Sequence, residues 1–172
     1  MSTKNTINSD VNPHVRRELA VAIQELQEKH GVSFWITSGY RDQNNPYYKE
    51  YSSHSHASAI DLRTGENDSF LKFCFGDQFD PNTFDQNTDM TNWELTPEAD
   101  AFFRKHNLRL VDERKRPNNT HFDLAINTRI GNDQRSVDDG KETVDQDYGK
   151  YDKKGRQTKF KKESFSPVLK SW

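Results

Sequence analysis

Ser52-Ser53-His54-Ser55-His56-Ala57-Ser58-Ala59-Ile60-Asp61 is the densest run of polar, metal-competent side chains in the chain. Its first half shows no apolar periodicity and reads as loop, while Ala59–Leu62 reads as a short strand. A histidine in that loop and the acid on the strand can converge on one point. Upstream, Val32–Thr37 is a β-branched and aromatic run that ends in Ser38-Gly39-Tyr40-Arg41-Asp42, the pattern of a strand followed by a tight turn. Downstream, His121–Ile126 alternates: Phe122, Leu124 and Ile126 share one face, His121 and Asp123 the other. Two imidazoles and one carboxylate leave the fourth position of a tetrahedral Zn²⁺ open, the layout of a catalytic zinc site. Solvated loop histidines beside a strand-end aspartate are the competing reading.

The helices around these strands are signalled by their ends. Asn12 to Gly31 reads as one helix with Asn12 as cap, Pro13 in the first turn and Gly31 as a left-handed stop. Val15, Leu19, Ala22, Ile23 and Leu26 form its apolar stripe. Ser69–Phe75 is apolar enough for a short helix, and Gly76–Thr91 reads as a polar surface loop. A further helix spans Pro97–His106, capped by Thr96 and closed by Asn107, and Leu108–Val111 is a strand. Trp93, Phe102 and Phe103 are expected in the core, and Cys74 as a small buried apolar residue.

With 172 residues, the chain is long enough for one domain with a real core. Apolar residues make up only 31% and charged residues 30%, so that core is diluted by long polar segments. A formal net charge of −2 gives no field that would gather nucleic acid or an anionic membrane. No apolar run approaches membrane-spanning length, and Met1–Asp10 carries no signal-peptide core. One cysteine excludes an intrachain disulfide framework and a cysteine-rich zinc knuckle, so a metal would rest on histidines and carboxylates. After residue 130 the composition changes: residues 133–147 hold six acids against two bases, and residues 150–162 seven bases against one acid. We therefore divide the chain into an N-terminal arm (1–10), a domain (11–130) and an extended polar tail (131–172). Phe165 and Trp172 are the tail's expected anchors, held against another chain.

Ser38-Gly39-Tyr40-Arg41, then Ser52-x-His54-x-x-x-x-Ala59-x-Asp61, then His121-Phe122-Asp123 resembles the zinc D-Ala-D-Ala carboxypeptidase family. That family includes the L-alanyl-D-glutamate endopeptidases of phage lysins and shares its fold with hedgehog signalling domains. The resemblance covers roughly Asn12–Asn127. It implies an α+β fold: a small, mainly antiparallel sheet with packed helices and the zinc site on its exposed face. It also implies one Zn²⁺ per chain held by His54, Asp61 and His121, with His56 left as a rim residue because its spacing to Asp61 is too short. Arg41 is expected to stabilise an oxyanion or grip a substrate carboxylate. Ser38, Tyr40, Ser52 and His56 are placed around the substrate. Two positions depart from the pattern. Ala57 replaces a glycine, which the loop absorbs if its φ is negative. Asn118 stands where many members carry the acidic base, leaving Asp123 as base or as supporting partner to a ligand histidine, with Asp112 and Glu113 as further candidates.

The implied function is zinc-dependent hydrolysis of peptidoglycan stem peptides at a D-Ala-D-Ala or L-Ala-D-Glu bond. The expected setting is phage-encoded: synthesis in the host cytoplasm, then release to the cell wall as a lysin or packaging in the virion. Expected partners are the stem peptide and, through the tail, virion or tail proteins, with no membrane and no specific nucleic acid. The alternative is a structural or binding component of a phage particle that keeps the fold without catalysis.

Overall fold

Four runs of alternating apolar and polar residues build the frame that carries the site. The computed structural model describes residues 6–7, 14–41, 44–46, 54, 57–114, 121–126, 137–138 and 165–167. Its strands are β1 (Thr6–Ile7), β2 (His14–Arg16), β3 (Trp35–Ser38), β4 (Ala59–Arg63), β5 (Leu108–Asp112), β6 (His121–Ile126), β7 (Val137–Asp138) and β8 (Phe165–Pro167). The helices are α1 (Arg17–Lys29), α2 (Asp68–Phe75) and α3 (Pro97–Lys105). The main sheet runs β1-β3-β4-β6-β5-β7. Its four central strands are antiparallel neighbours, and the two-residue strands β1 and β7 add parallel edges. The architecture is α+β, as expected.

Strand alternation divides the sheet into two chemically different faces. Ile36, Ile60, Leu62, Phe122, Leu124 and Ile126 point to one side and join the buried stripe of α1 and the aromatic residues of α2 and α3 in one core. Each such side chain contributes about 1.5–3 kcal/mol by leaving water. Asp61, Asp123 and His121 lie on the opposite side. That face is more enclosed than expected from the sequence, since Asp61 is only 2% and His54 only 4% exposed.

Helix α1 begins later than its sequence signals imply. His14–Arg16 is extended and pairs antiparallel with Phe165–Pro167, so the helix starts at Arg17, while Asn12 and Pro13 lie outside the described residues. Pairing with a distant strand outweighs a local helix preference. At the other end Gly31 turns left-handed (φ +65°), and the Val32 N–H closes onto the Leu26 carbonyl at 3.0 Å. The Thr96 hydroxyl caps α3 by accepting from the Ala99 N–H at 3.1 Å, and Asn107 ends that helix region at φ +54°. Hydrogen bonds from Lys105 and His106, at 2.8 and 2.9 Å, tie α3 to Glu25 of α1 and lower the Glu25 pKa to about 2. Cys74, Phe103 and Phe102 are buried, and Trp93 packs against the core, as expected.

Two stretches of the segment after residue 130 fall within the described residues. β7 pairs with β5 and β8 with β2, so both rest on this chain rather than on the other chain expected for the tail. Trp172 lies outside the described residues.

The polar loop after α2 is fastened to the end of β5 by one arginine. Arg114 meets Asp112 through two bonds, Nε to Oδ1 at 2.9 Å and Nη2 to Oδ2 at 2.8 Å. It also donates to the carbonyls of Asp85 and Thr88, each at 2.9 Å, and its guanidinium lies 5.2 Å from the rings of both Phe84 and Phe122. Bidentate pairing and aromatic packing together suit an arginine where a lysine would serve poorly.

Candidate metal centre

Asp61 meets both of the histidines expected to hold a metal with it, but the two histidines fall in separate groups of ligand spacing, His54 with Asp61 and Asp123, His121 with Asp61 and Glu113. Asp61 sits on β4 directly opposite Asp123 of β6 and next to Ser38 of β3. His121 opens β6 two residues before Asp123, so both point to the same side. His54 arrives from the preceding loop, where its carbonyl accepts the N–H groups of Arg41 (3.0 Å) and Ala57 (3.2 Å). Its Nδ1 lies 2.9 Å from the Gly39 carbonyl. With that nitrogen donating to the carbonyl, Nε2 is left as the ligating nitrogen.

That Nε2 lies 3.0 Å from Asp61 Oδ1 and 3.3 Å from Asp123 Oδ2. His121 Nε2 lies 3.3 Å from the same Asp61 oxygen and 2.7 Å from Glu113 Oε2. Two groups with the spacing of metal ligands therefore overlap at Asp61: His54–Asp61–Asp123, buried throughout, and Asp61–Glu113–His121. The other Asp61 oxygen is taken by Arg41 Nη2 at 3.1 Å, and the Arg41 guanidinium is braced by the Ser38 hydroxyl at 2.9 and 3.1 Å. Thus Oδ1 faces the histidines and Oδ2 faces the arginine.

A divalent cation fits the buried His54–Asp61–Asp123 group. Its donor atoms have ligand spacing, a hydrogen-bonded carbonyl fixes the ring, and the buried Asp123 Oδ1 has no hydrogen-bond partner among the described residues. The electrostatics agree. Burial of the His54 ring lowers its pKa, but the charges of Asp61 and Asp123 and their hydrogen bonds outweigh it and raise it to about 10. In His121 burial also acts downward, and the hydrogen bond it donates to Glu113, with the nearby Asp61 charge, carries the pKa above its ordinary value. Burial would raise Asp123, yet His54 and then Arg109 and His121 hold it below the usual carboxylate range. In the metal-free chain, protons on the rings do the neutralising that a cation would do.

The remaining candidates separate clearly. Asp112 is committed to Arg114, so its carboxylate is occupied away from the histidines. Tyr40 is half-buried between Gly39 and Arg41. Ser52, His56 and Asn118 lie outside the described residues. Ala57 departs from expectation: its φ is +57°, not negative, so a left-handed backbone stands at the position where the family resemblance has glycine. Arg109 was missed from sequence. It lies on β5, almost fully buried, and its only signal was an arginine at an alternating position of an otherwise apolar strand. Comparison with family models, with curated proteins and with solved structures returned no match.

Proposed function

We propose that this chain is a zinc-dependent peptidase acting on peptidoglycan stem peptides, with one Zn²⁺ held by His54, Asp61 and His121. The observation that carries this reading is the common focus of both histidines on Asp61 Oδ1. A Zn²⁺ bound there supplies Lewis acidity for the scissile carbonyl and acidifies water. Glu113 is the base in this scheme. Its carboxylate stands beside His121 and is 14% exposed, placed to take a proton from attacking water and return it to the leaving amine. Asp123, more deeply enclosed and facing His54, orients and charge-balances that ring, the supporting role among the two open to it. Arg41 keeps Asp61 turned toward the histidines and brings positive charge next to the reacting carbonyl.

The alternative of a phage component without catalysis draws on Asn118 and on the long tail. An acid beside His121, at the first residue after β5, answers the first of these. We retain the phage setting, with release to the wall or packaging in the virion, as part of the proposal.

Metal analysis of the purified full chain should give one zinc per protein, and mass analysis of cell-wall digests should show cut stem peptides. Glu113→Gln should keep zinc and lose about 10²–10⁴-fold in rate. A zinc-loaded chain that leaves both walls and isolated stem peptides intact would refute the assignment.

A further inference from the structure

We infer that Trp35 and Arg63 form a carboxylate-binding subsite beside the metal centre, which takes a free carboxylate of the peptide substrate. Arg63 ends β4 two residues after Asp61 and lies directly opposite His121 in the β4–β6 register. Strand alternation puts it on the face that carries Asp61, His121 and Asp123. Its guanidinium is laid over the Trp35 ring at 5.0 Å from the centroid, so the indole holds the fork flat while leaving its edge to solvent. The side chain is 51% exposed, and its ion-pair partner among the described residues, Glu66, stands at 4.0 Å, the limit of such a contact.

Trp35 is itself anchored. The Asn67 side chain accepts from the Trp35 N–H at 2.9 Å and donates to the carbonyls of Trp35 and Arg63 at 3.2 and 2.8 Å. Asn67 is almost fully buried, so one amide locks both strands where the two side chains stack. The result is a pre-oriented, weakly paired, always-charged fork. Asp61 and Arg63 are about 7 Å apart along the strand, and an extended peptide advances about 3.3–3.6 Å per residue. The fork therefore reaches a carboxylate about two or three residues from the bond being cut.

The identity of the peptide rests on the peptidase reading, and the test keeps the two apart. The zinc-loaded full chain is titrated calorimetrically with a stem peptide and with the same peptide whose free carboxylates are amidated. Hydrolysis of both is then followed at varied concentration. We expect the carboxylate form to bind at least tenfold more tightly. Arg63→Gln should erase that preference and raise KM about tenfold, with kcat within twofold of the parent. Arg63→Lys should recover only part of it, because a point charge lacks the planar fork. Thermal melts of both variants should match the parent, since the side chain is exposed. Discriminating binding without hydrolysis would sustain the subsite and remove the peptidase reading. Hydrolysis with unchanged KM in Arg63→Gln, or equal or absent binding of the two peptides, would overturn the subsite.

Discussion

The two faces of the main sheet are separated by a single step along the chain, and they obey opposite rules. On β6, Phe122, Leu124 and Ile126 are buried among apolar neighbours, whereas His121 and Asp123 join Asp61, Glu113 and His54 in a cluster of three carboxylates and two imidazoles. One side is organised by removal of surface from water. The other holds buried charge that needs partners, so its stability depends on the protons or cation that balance it. Adjacent residues should therefore fail in different ways.

The sharpest test is the neighbouring pair His121 and Phe122. Phe122→Ala should cost about 3–5 kcal/mol in denaturant unfolding, because a ring is lost from the core and from beneath Arg114. His121→Ala should instead leave a folded chain whose zinc affinity falls by more than the ~10–100-fold expected for a supporting residue, as should His54→Ala. His56→Ala should keep its zinc. If Phe122→Ala lost zinc without losing stability, the division between faces would collapse.

Arg41 sits at the boundary. Its bond to Asp61 Oδ2 makes it a support of a ligand, so Arg41→Ala should lower zinc affinity about 10–100-fold in chelator competition. Unchanged affinity with a slower reaction would move its role wholly to the substrate.

The site face should also make stability depend on pH and metal. His54, raised from 6.5 to about 10 in the metal-free chain, contributes stability that is complete below pH 6.5 and lost as pH climbs toward 10. Zinc requires the neutral ring, so the loaded chain should lack this decline, and its formation should release protons measurable by calorimetry in buffers of different ionisation enthalpy. A metal-free chain with flat stability over that range would show that the ring is not held by Asp61 and Asp123.

The smallest effect belongs to Ala57. Glycine there would relieve about 1–2 kcal/mol of left-handed strain and forfeit about 0.8 kcal/mol of methyl burial plus about 0.5–1 kcal/mol of chain entropy. Ala57→Gly should thus melt close to the parent, while Ala22→Gly, equally buried but within α1, should lose about 1.5–2 kcal/mol.

Period and punctuation made most of this fold legible. The α3 ends at Thr96 and Asn107, the stripe of α1 and the alternation of β6 are local features, and local features survive folding. The misreadings share a cause. β2 became a strand because of a partner about 150 residues away in the sequence, which no window around His14 contains. Glu113, already one of the acids the sequence offered, meets His121 through the β5–β6 pairing, which no local spacing shows. Asp112, its neighbour, was removed from contention by an arginine whose other contacts lie in a distant loop. The candidate ligands were legible because histidines and a strand acid at that spacing are rare; the groups around them are common residues placed by topology.

That arginine has a kinetic corollary. Arg114 joins β5 to a carbonyl 29 residues earlier, and closing a loop of that size costs about 3 kcal/mol in chain entropy before the contact returns anything. If such a clamp closes only after the sheet and the loop have met, Arg114→Ala should speed unfolding while leaving the folding rate close to the parent's in stopped-flow measurements.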